Sequence, residues 1–480
     1  MIVTWSLYRH QTGTPMYHNS NQVLTAAQMR YAEGALVAAG TSVDELMQRA
    51  GRGAAEWVWR ISGGRPVTVL CGPGNNGGDG YVIAEAIRER GGAVQVVAAS
   101  DSKTPASRTA RALFQGQVLG RDAVPQGEVL VDCLFGTGLT RPLEADDLAL
   151  LNRLAASHAR RVAVDLPSGI HADNGMMLGN GLPDWHLTLA LGAWKPAHFL
   201  LPAAPMMGEL RLVPIGVADL PEAARLITRP QLAAPGSNAH KYTRGLLGVV
   251  AGAMPGAALL AARAAQGAGA GYVKVLGAAE GAPPDLVVDH QPLAEVLTDN
   301  RYAALLVGPG LGRDAVARER LAVALSEPIP AVVDADGLIL LSPRNLTERE
   351  APVVATPHEG ELFALERAFG LDGSGCKLER AEALARTAGI VVVAKGADTV
   401  VAAPDGRVAF ARRASSWLST AGTGDVLGGA IASRLASGAE AFAAACEGVW
   451  LHGEAARHTP APFTAGELAA QVARAYAACL

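Results

Sequence analysis

The stretch Gly72-Pro-Gly-Asn-Asn-Gly-Gly-Asp-Gly80 sets two amides and a carboxylate among glycines. It follows an apolar run, Val67–Cys71, and leads into Tyr81–Arg90, where Val82, Ile83, Ala86 and Ile87 have helical spacing. Glycines let backbone N–H groups approach a ligand, and a helix N-terminus favours an anion such as a pyrophosphate. Gly72, Gly74 and Gly77 fit the dinucleotide pattern G-x-G-x-x-G, with Asp101 as a rough match to the acidic residue expected about 20 positions on. A tight strand-to-helix turn would use the glycines but has no need of Asn75, Asn76 and Asp79 together. The binding loop is the favoured reading, and the plain turn stays open beside it. No Gly-Lys-Ser/Thr follows, so this is not a Walker loop.

Two further loops follow apolar runs: Asp132-Cys-Leu-Phe-Gly-Thr-Gly-Leu139 and Val164-Asp-Leu-Pro-Ser-Gly169. Ligands of open α/β sheets bind beyond the carboxyl ends of strands, so the three loops would share one edge. Asp132 and Asp165 could otherwise be helix or turn caps. Ser168 does not stand in G-x-S-x-G, which argues against a hydrolase nucleophile.

The strongest downstream signal is Thr420-Ala-Gly-Thr-Gly-Asp-Val-Leu-Gly-Gly429. Successive N–H groups from Gly422 to Gly424 can form an anion nest at a helix start, with Asp425 beside it as a base. The alternative is a glycine-rich helix entry. Four motifs accompany it, each after a strand end: Gly308-Pro-Gly-Leu-Gly312, Asp334-Ala-Asp336, Thr356-Pro-His-Glu-Gly-Glu361 and Val393-Ala-Lys-Gly-Ala-Asp-Thr399.

Positioning these loops requires alternating strands and helices. One series of short apolar runs comprises Val67–Cys71, Val94–Ala98, Val129–Phe135, Arg161–Asp165 and His186–Leu191. A second comprises Leu246–Ala251, Tyr272–Leu276, Ala303–Val307, Ala331–Asp334, Val353–Thr356 and Ile390–Ala394. Val400–Ala403 and Val408–Ala411 then flank a hairpin-like Pro404-Asp-Gly406, and an Ala-rich helical part follows from Gly424. Continuous apolar runs with helices between them read as buried parallel strands. The fold class is therefore α/β, with a Rossmann-like αβα domain over residues 1–221 and an α/β domain over 238–480. Pro221, Pro230, Pro235 and Gly236 place a linker at 222–237.

Composition narrows the function classes. Net charge is −4, from 41 basic and 45 acidic residues, which argues against nucleic acid or an anionic membrane as a partner. No run approaches the ~20 apolar residues of a membrane span. The first twenty residues lack the apolar stretch of a signal peptide, so a cytoplasmic location is expected. Cys71, Cys133, Cys376, Cys446 and Cys479 are scattered without metal-ligand spacing and read as reduced thiols.

The three upstream loops, with Thr25-Ala-Ala-Gln-Met-Arg30 and Gly192-Ala-Trp-Lys-Pro196, resemble the NAD(P)H-hydrate epimerase family over roughly residues 22–220. That resemblance implies that Asn75, Asn76, Gly77, Gly78 and Asp79, with Gly136, Thr137, Gly138, Leu139, Thr140, Arg141 and Pro142, hold the substrate. It makes Asp165 the acid/base group at the nicotinamide end, and Asn76, Asp132 and Ser168 the ligands of a potassium ion. Hard oxygen donors suit such a cation. The residues before Gln22 have no counterpart in that family, and Met16 is a candidate start.

The downstream motifs, with His240-Lys241 and Gly245, resemble the ADP-dependent NAD(P)H-hydrate dehydratase family, whose fold is ribokinase-like. By resemblance, Ala257, Gly310, Gly312, His358 and Asp425 contact the hydrated cofactor. Lys395, Gly396, Ala397, Asp398 and Thr399, with Gly422 and Gly424, would contact ADP, which arrives with Mg²⁺. Two departures stand beside the site: Glu359 replaces the usual proline, and Asp334-Ala-Asp-Gly-Leu-Ile339 replaces Asp-Ala-Asp-Ala-Leu-Asn.

The resemblance implies a bifunctional repair enzyme acting on hydrated NADH and NADPH, and a homo-oligomer is expected. A chiral dehydratase site accepts one C6 epimer, so an epimerase fused to it would keep the other from accumulating. Asp165 could assist reversible loss of water, or the ring could open. Two rival readings are a ribokinase-type small-molecule kinase with a regulatory domain and a non-catalytic NAD-binding sensor.

Overall fold

The computed structural model describes residues 21–480 apart from 124 and 126. The candidate start at Met16 lies outside the described residues. The described residues form two sheets. The first has seven strands, all parallel, in the spatial order Gln117–Leu119, Val94–Ala98, Val67–Cys71, Gly127–Cys133, His158–Val164, Leu187–Leu191, Glu209–Val213. Every residue of Val67–Cys71 and of Leu187–Leu191 is buried, because helices cover both faces. Among those helices are Val43–Ser62 and Asn75–Glu89, which pack on each other.

The chain leaves Val67–Cys71 toward one edge of this sheet and returns to Gly127–Cys133 on its other side. A crevice opens at such a reversal, beyond the carboxyl ends of the two strands. The glycine-rich loop and the Leu134–Thr140 loop flank it.

The second sheet has eleven strands. Its parallel centre runs Val391–Ala394, Val353–Ala355, Ala331–Val333, Tyr302–Val307, Leu246–Val250, Tyr272–Leu276 and Val287–Asp289. The hairpin of Val400–Ala402 and Val408–Phe410 extends it. Here the reversal lies between Leu246–Val250 and Tyr302–Val307. The loops before Pro255–Gly267 and at Gly308–Gly312 border that second crevice.

The elements read from the sequence form as expected, with strand ends shifted by up to three residues. The segment expected to be a linker differs. Ala224–Leu226 is a strand, parallel to Val408–Phe410, and Gln22–Val23 pairs antiparallel with it. Leu226 and Ile227 are buried, so this stretch is part of the second sheet and not a free tether. Its short length and prolines concealed it, since three residues give no periodic signal. Gln22–Val23 also reaches the first half: Leu24 N donates to Trp194 O (2.8 Å), and Gln22 Nε2 donates to Ala218 O (3.0 Å).

Candidate active sites

The first crevice encloses 540 Å³. Of the residues singled out in the sequence, Asn75, Asn76, Asp79, Gly136, Thr137, Gly138, Leu139, Thr140, Arg141 and Asp165 line it. Gly77, Gly78 and Pro142 do not. A Cβ on Gly77 would stand 1.9 Å from Gly72 O, and one on Gly78 would meet the Met47 side chain at 2.5 Å. Both positions therefore have no room for a side chain, and Pro142 is exposed beyond the rim. Helix Asn75–Glu89 starts at Gly74 with no side-chain cap, which leaves N–H groups for a ligand. Asp101 is exposed and paired with Arg111 (2.9 Å), and it does not border the crevice.

Asp165 sits just past its strand with φ of 68°, a left-handed conformation that is uncommon outside glycine. That turn aims its carboxylate into the crevice, where Thr137 N donates to Oδ2 (2.9 Å) and Thr137 Oγ1 also bonds. Lys195 is fully buried; its ammonium bonds Asp165 Oδ1 and Leu191 O (2.7 Å). Burial pushes the Asp165 carboxyl up, but Lys195 and the Thr137 donors outweigh it and hold the group below its ordinary value. His198 Nδ1 accepts from Lys195 N (2.9 Å), and Nε2 donates to Asp165 O (2.9 Å). Burial, then the Lys195 charge, pushes His198 down to about 4, so its ring is neutral. Asp79 moves the opposite way: burial, then the charges of Asp165 and Glu33, lift it well above the usual carboxylate range.

Lys195 lines the crevice and was not singled out from the sequence. It is one of two lysines among the first 240 residues of an arginine-rich chain, and it stands within the Gly192–Pro196 stretch. That was the available signal.

Asp132 and Ser168 lie behind the crevice. Asp132 Oδ1 accepts from Ser168 Oγ (2.8 Å) and Leu134 N (3.0 Å), and Oδ2 accepts from Ser168 N (2.9 Å). Burial lifts Asp132 to about 6 against those donors. Both amide atoms of Asn76 are buried without a partner.

The second site centres on helix Thr423–Ala436. Gly422 caps it with φ of 90° and no side-chain hydrogen bond, and Asp425 stands in its first turn. Burial, then the charge of Asp334, pushes Asp425 up to about 7, while Lys395 opposes this. Lys395 Nζ lies 2.6 Å from Asp334 Oδ1. Ala335, with φ of 49°, kinks the backbone between Asp334 and Asp336. Asp336 consequently turns to Gly312 N (3.0 Å) and Arg313 Nε (2.7 Å). Gly310 O accepts from Met254 N (2.9 Å), at the start of the helix that holds Ala257 in its first turn. A Cβ on Gly422 would stand 2.9 Å from Leu260 of that helix and 3.9 Å from Asp425 Oδ2. The structure thus gathers Ala257, Gly310, Gly312, Gly422 and Asp425 at the second reversal.

Beside them lies a mostly apolar cleft of 450 Å³, lined by Lys395, Gly396, Ala397, Thr399, Gly424 and His358 among others. Asp398 is absent from that lining. Its buried carboxylate pairs with Lys377 and accepts from Leu201 N (3.2 Å), so it fastens one half of the chain to the other. His358 borders the cleft but also caps a helix, accepting from Gly360 N (3.0 Å) and Glu361 N (3.3 Å). Glu359, in place of the usual proline, pairs with Arg380. Among the described residues, no group of three His, Cys, Asp or Glu side chains is placed to hold a metal. No described helix is long and apolar enough to cross a membrane.

Residues 247–477 match the family described as NAD(P)H-hydrate dehydratase, and residues 43–197 match the YjeF-related protein N-terminus. A Mycobacterium leprae protein, the bifunctional NAD(P)H-hydrate repair enzyme Nnr, is 35% identical over 94% of this chain and 96% of its own length. The chain belongs to the bifunctional NAD(P)H-hydrate repair family. Its Gloeobacter violaceus counterpart is also 35% identical, over 90% of this chain and 94% of the relative. The solved ADP/ATP-dependent NAD(P)H-hydrate dehydratase of Bacillus subtilis, co-crystallised with ATP/Mg²⁺, is 27% identical. It covers 52% of this chain and 95% of its own, with a TM-score of 0.46. Within this family the first crevice belongs to the epimerase half and the second to the dehydratase half.

Proposed function

We propose that the chain returns hydrated NADH and NADPH to use, with Asp165 and Asp425 as the catalytic groups of its two halves. Asp425 carries the reading: it stands in the first turn of an uncapped helix, at the reversal of the second sheet, with its carboxyl near 7. Hydroxide is a poor leaving group from C6 of the reduced ring. Phosphoryl transfer from ADP to that oxygen makes a good one, leaving AMP. Asp425 takes the hydroxyl proton, and the Gly422–Gly424 amides stabilise the moving charge. The ring nitrogen then expels phosphate, and loss of a C5 proton restores the double bond. Lys395 to Thr399, except Asp398, hold the nucleotide.

Mg²⁺ would neutralise phosphate charge during transfer. Since the described residues gather no carboxylate cage, the ion would take most of its oxygens from the nucleotide and water.

In the epimerase half, the acidities of Asp165 and Asp79 are driven in opposite directions, Asp165 down and Asp79 up. Such a pair suits opposite proton transfers at C6, with Asp165 as base and Asp79 as acid. A potassium ion fits Asn76, Asp132 and Ser168. The orphaned amide oxygen of Asn76 is a free hard donor, and a cation would offset the buried charge of Asp132. It would tie three loops together around the substrate. The five free cysteines agree with a cytoplasmic setting.

The test incubates each hydrate epimer with ADP and Mg²⁺ and follows recovery of the reduced-nicotinamide absorbance. Both epimers should recover with the full chain. A stable phosphorylated product would instead indicate a kinase, and binding without turnover a sensor.

A further inference from the structure

The two halves meet along a cleft of 420 Å³ with walls from both. His198, Glu209 and Arg211 face it from the first half, and Arg412 and Arg413 from the second. Three guanidiniums meet a single carboxylate there. Arg211 Nη1 lies 3.2 Å from Glu209 Oε2, and neither Arg412 nor Arg413 has a carboxylate within ion-pair distance among the described residues. Arg412 is fixed over the Trp194 ring at 5.3 Å. Burial, then the charge of Arg211, lowers the Arg412 guanidinium below its ordinary value. Like charges held close together raise one another's free energy, and an anion between them relieves it. Guanidinium forks match phosphate oxygens in pairs.

We propose that this interface cleft binds a phosphate-bearing anion, gripped by Arg211 from one half and by Arg412 and Arg413 from the other. The anion is either free inorganic phosphate or the phosphate of a nucleotide, since Arg412 and Arg413 also line the neighbouring 450 Å³ cleft. The site stands whichever reaction each half performs. Its position gives it a route to the first crevice: His198 in its wall donates to Asp165 O, and Trp194 precedes Lys195.

The test uses thermal unfolding of the full chain titrated with inorganic phosphate, AMP, or adenosine as the uncharged control. Phosphate or AMP should raise Tm saturably, adenosine should not reproduce the effect, and added NaCl should weaken it. Arg211→Gln should raise the half-saturating concentration by about tenfold or more, since a charged hydrogen-bond partner is lost. Glu209→Gln should lower it, because the one opposing charge is gone. A phosphate response that follows both variants identifies free phosphate. A response to AMP alone that follows both identifies a nucleotide. An AMP response indifferent to both variants belongs to the neighbouring cleft and overturns the proposal, as does no response at all. Arg211 also stacks on Trp57 at 5.4 Å. If Arg211→Gln does not fold, Glu209→Gln decides alone: unchanged half-saturation overturns the site.

Discussion

Lys395 Nζ lies 2.6 Å from Asp334 Oδ1 and 3.8 Å from Glu361 Oε2, and this group sets the field in which Asp425 titrates. Burial first, then the charges of Asp334, Asp336 and Glu361, push Asp425 up and Lys395 pulls it down; the balance falls at about 7.

A pH dependence follows. Protonated Asp425 cannot accept the hydroxyl proton, so kcat/KM for dehydration should climb with pH and level off above about 7. Asp334→Asn removes a charge that raises Asp425 and frees Lys395 to lower it further. The rising limb should therefore move to lower pH, and a limb that stays in place would put the base elsewhere.

Asp425→Asn keeps the size of the side chain but removes the base. ADP-dependent recovery of NADH should fall by about 10²–10⁴, while interconversion of the epimers continues. Near wild-type recovery would remove Asp425 from the chemistry.

In the other half, Lys195 is buried against Asp165. Lys195→Met leaves a buried carboxylate without its partner and should cost about 3–5 kcal/mol in denaturant unfolding. The double variant Lys195→Met, Asp165→Asn should regain most of that stability and still lack epimerase activity. Wild-type epimerase activity in the double variant would mean that the pair only supports the fold.

The potassium reading can be checked by diffraction with thallium. An anomalous peak should appear among Asn76, Asp132 and Ser168, and Asp132→Ala should weaken epimerase substrate binding while leaving dehydration intact. With no peak, the Asp132–Ser168 contact is a hydrogen-bond network alone.

The strand Ala224–Leu226 bears on where the chain can be divided. A fragment starting at about Pro235 loses it and bares the edge at Val408–Phe410. Each of Leu226 and Ile227 forfeits about 1.5–3 kcal/mol of burial. A fragment from about Pro221 should melt at a clearly higher temperature, and equal melting would make this strand incidental.

The sequence alone determined the alternation of strands and helices and the positions of the glycine loops, and it named Asp165 and Asp425 as candidates. These signals are local: strands buried on both faces read as near-continuous apolar runs, and an uncapped helix start leaves N–H groups for an anion. Tertiary structure decided the rest. Lys195 reaches Asp165 across 30 residues, and its charge determines which way that carboxyl shifts. Gly77 and Gly78 have no room for a Cβ, and Asp398 joins the halves because Lys377 and Leu201 lie beside it. Arg211 and Arg412 meet only because two sheets pack together. Contacts between distant segments leave no periodicity in a chain, since their energies come from burial and charge that exist only once it is folded.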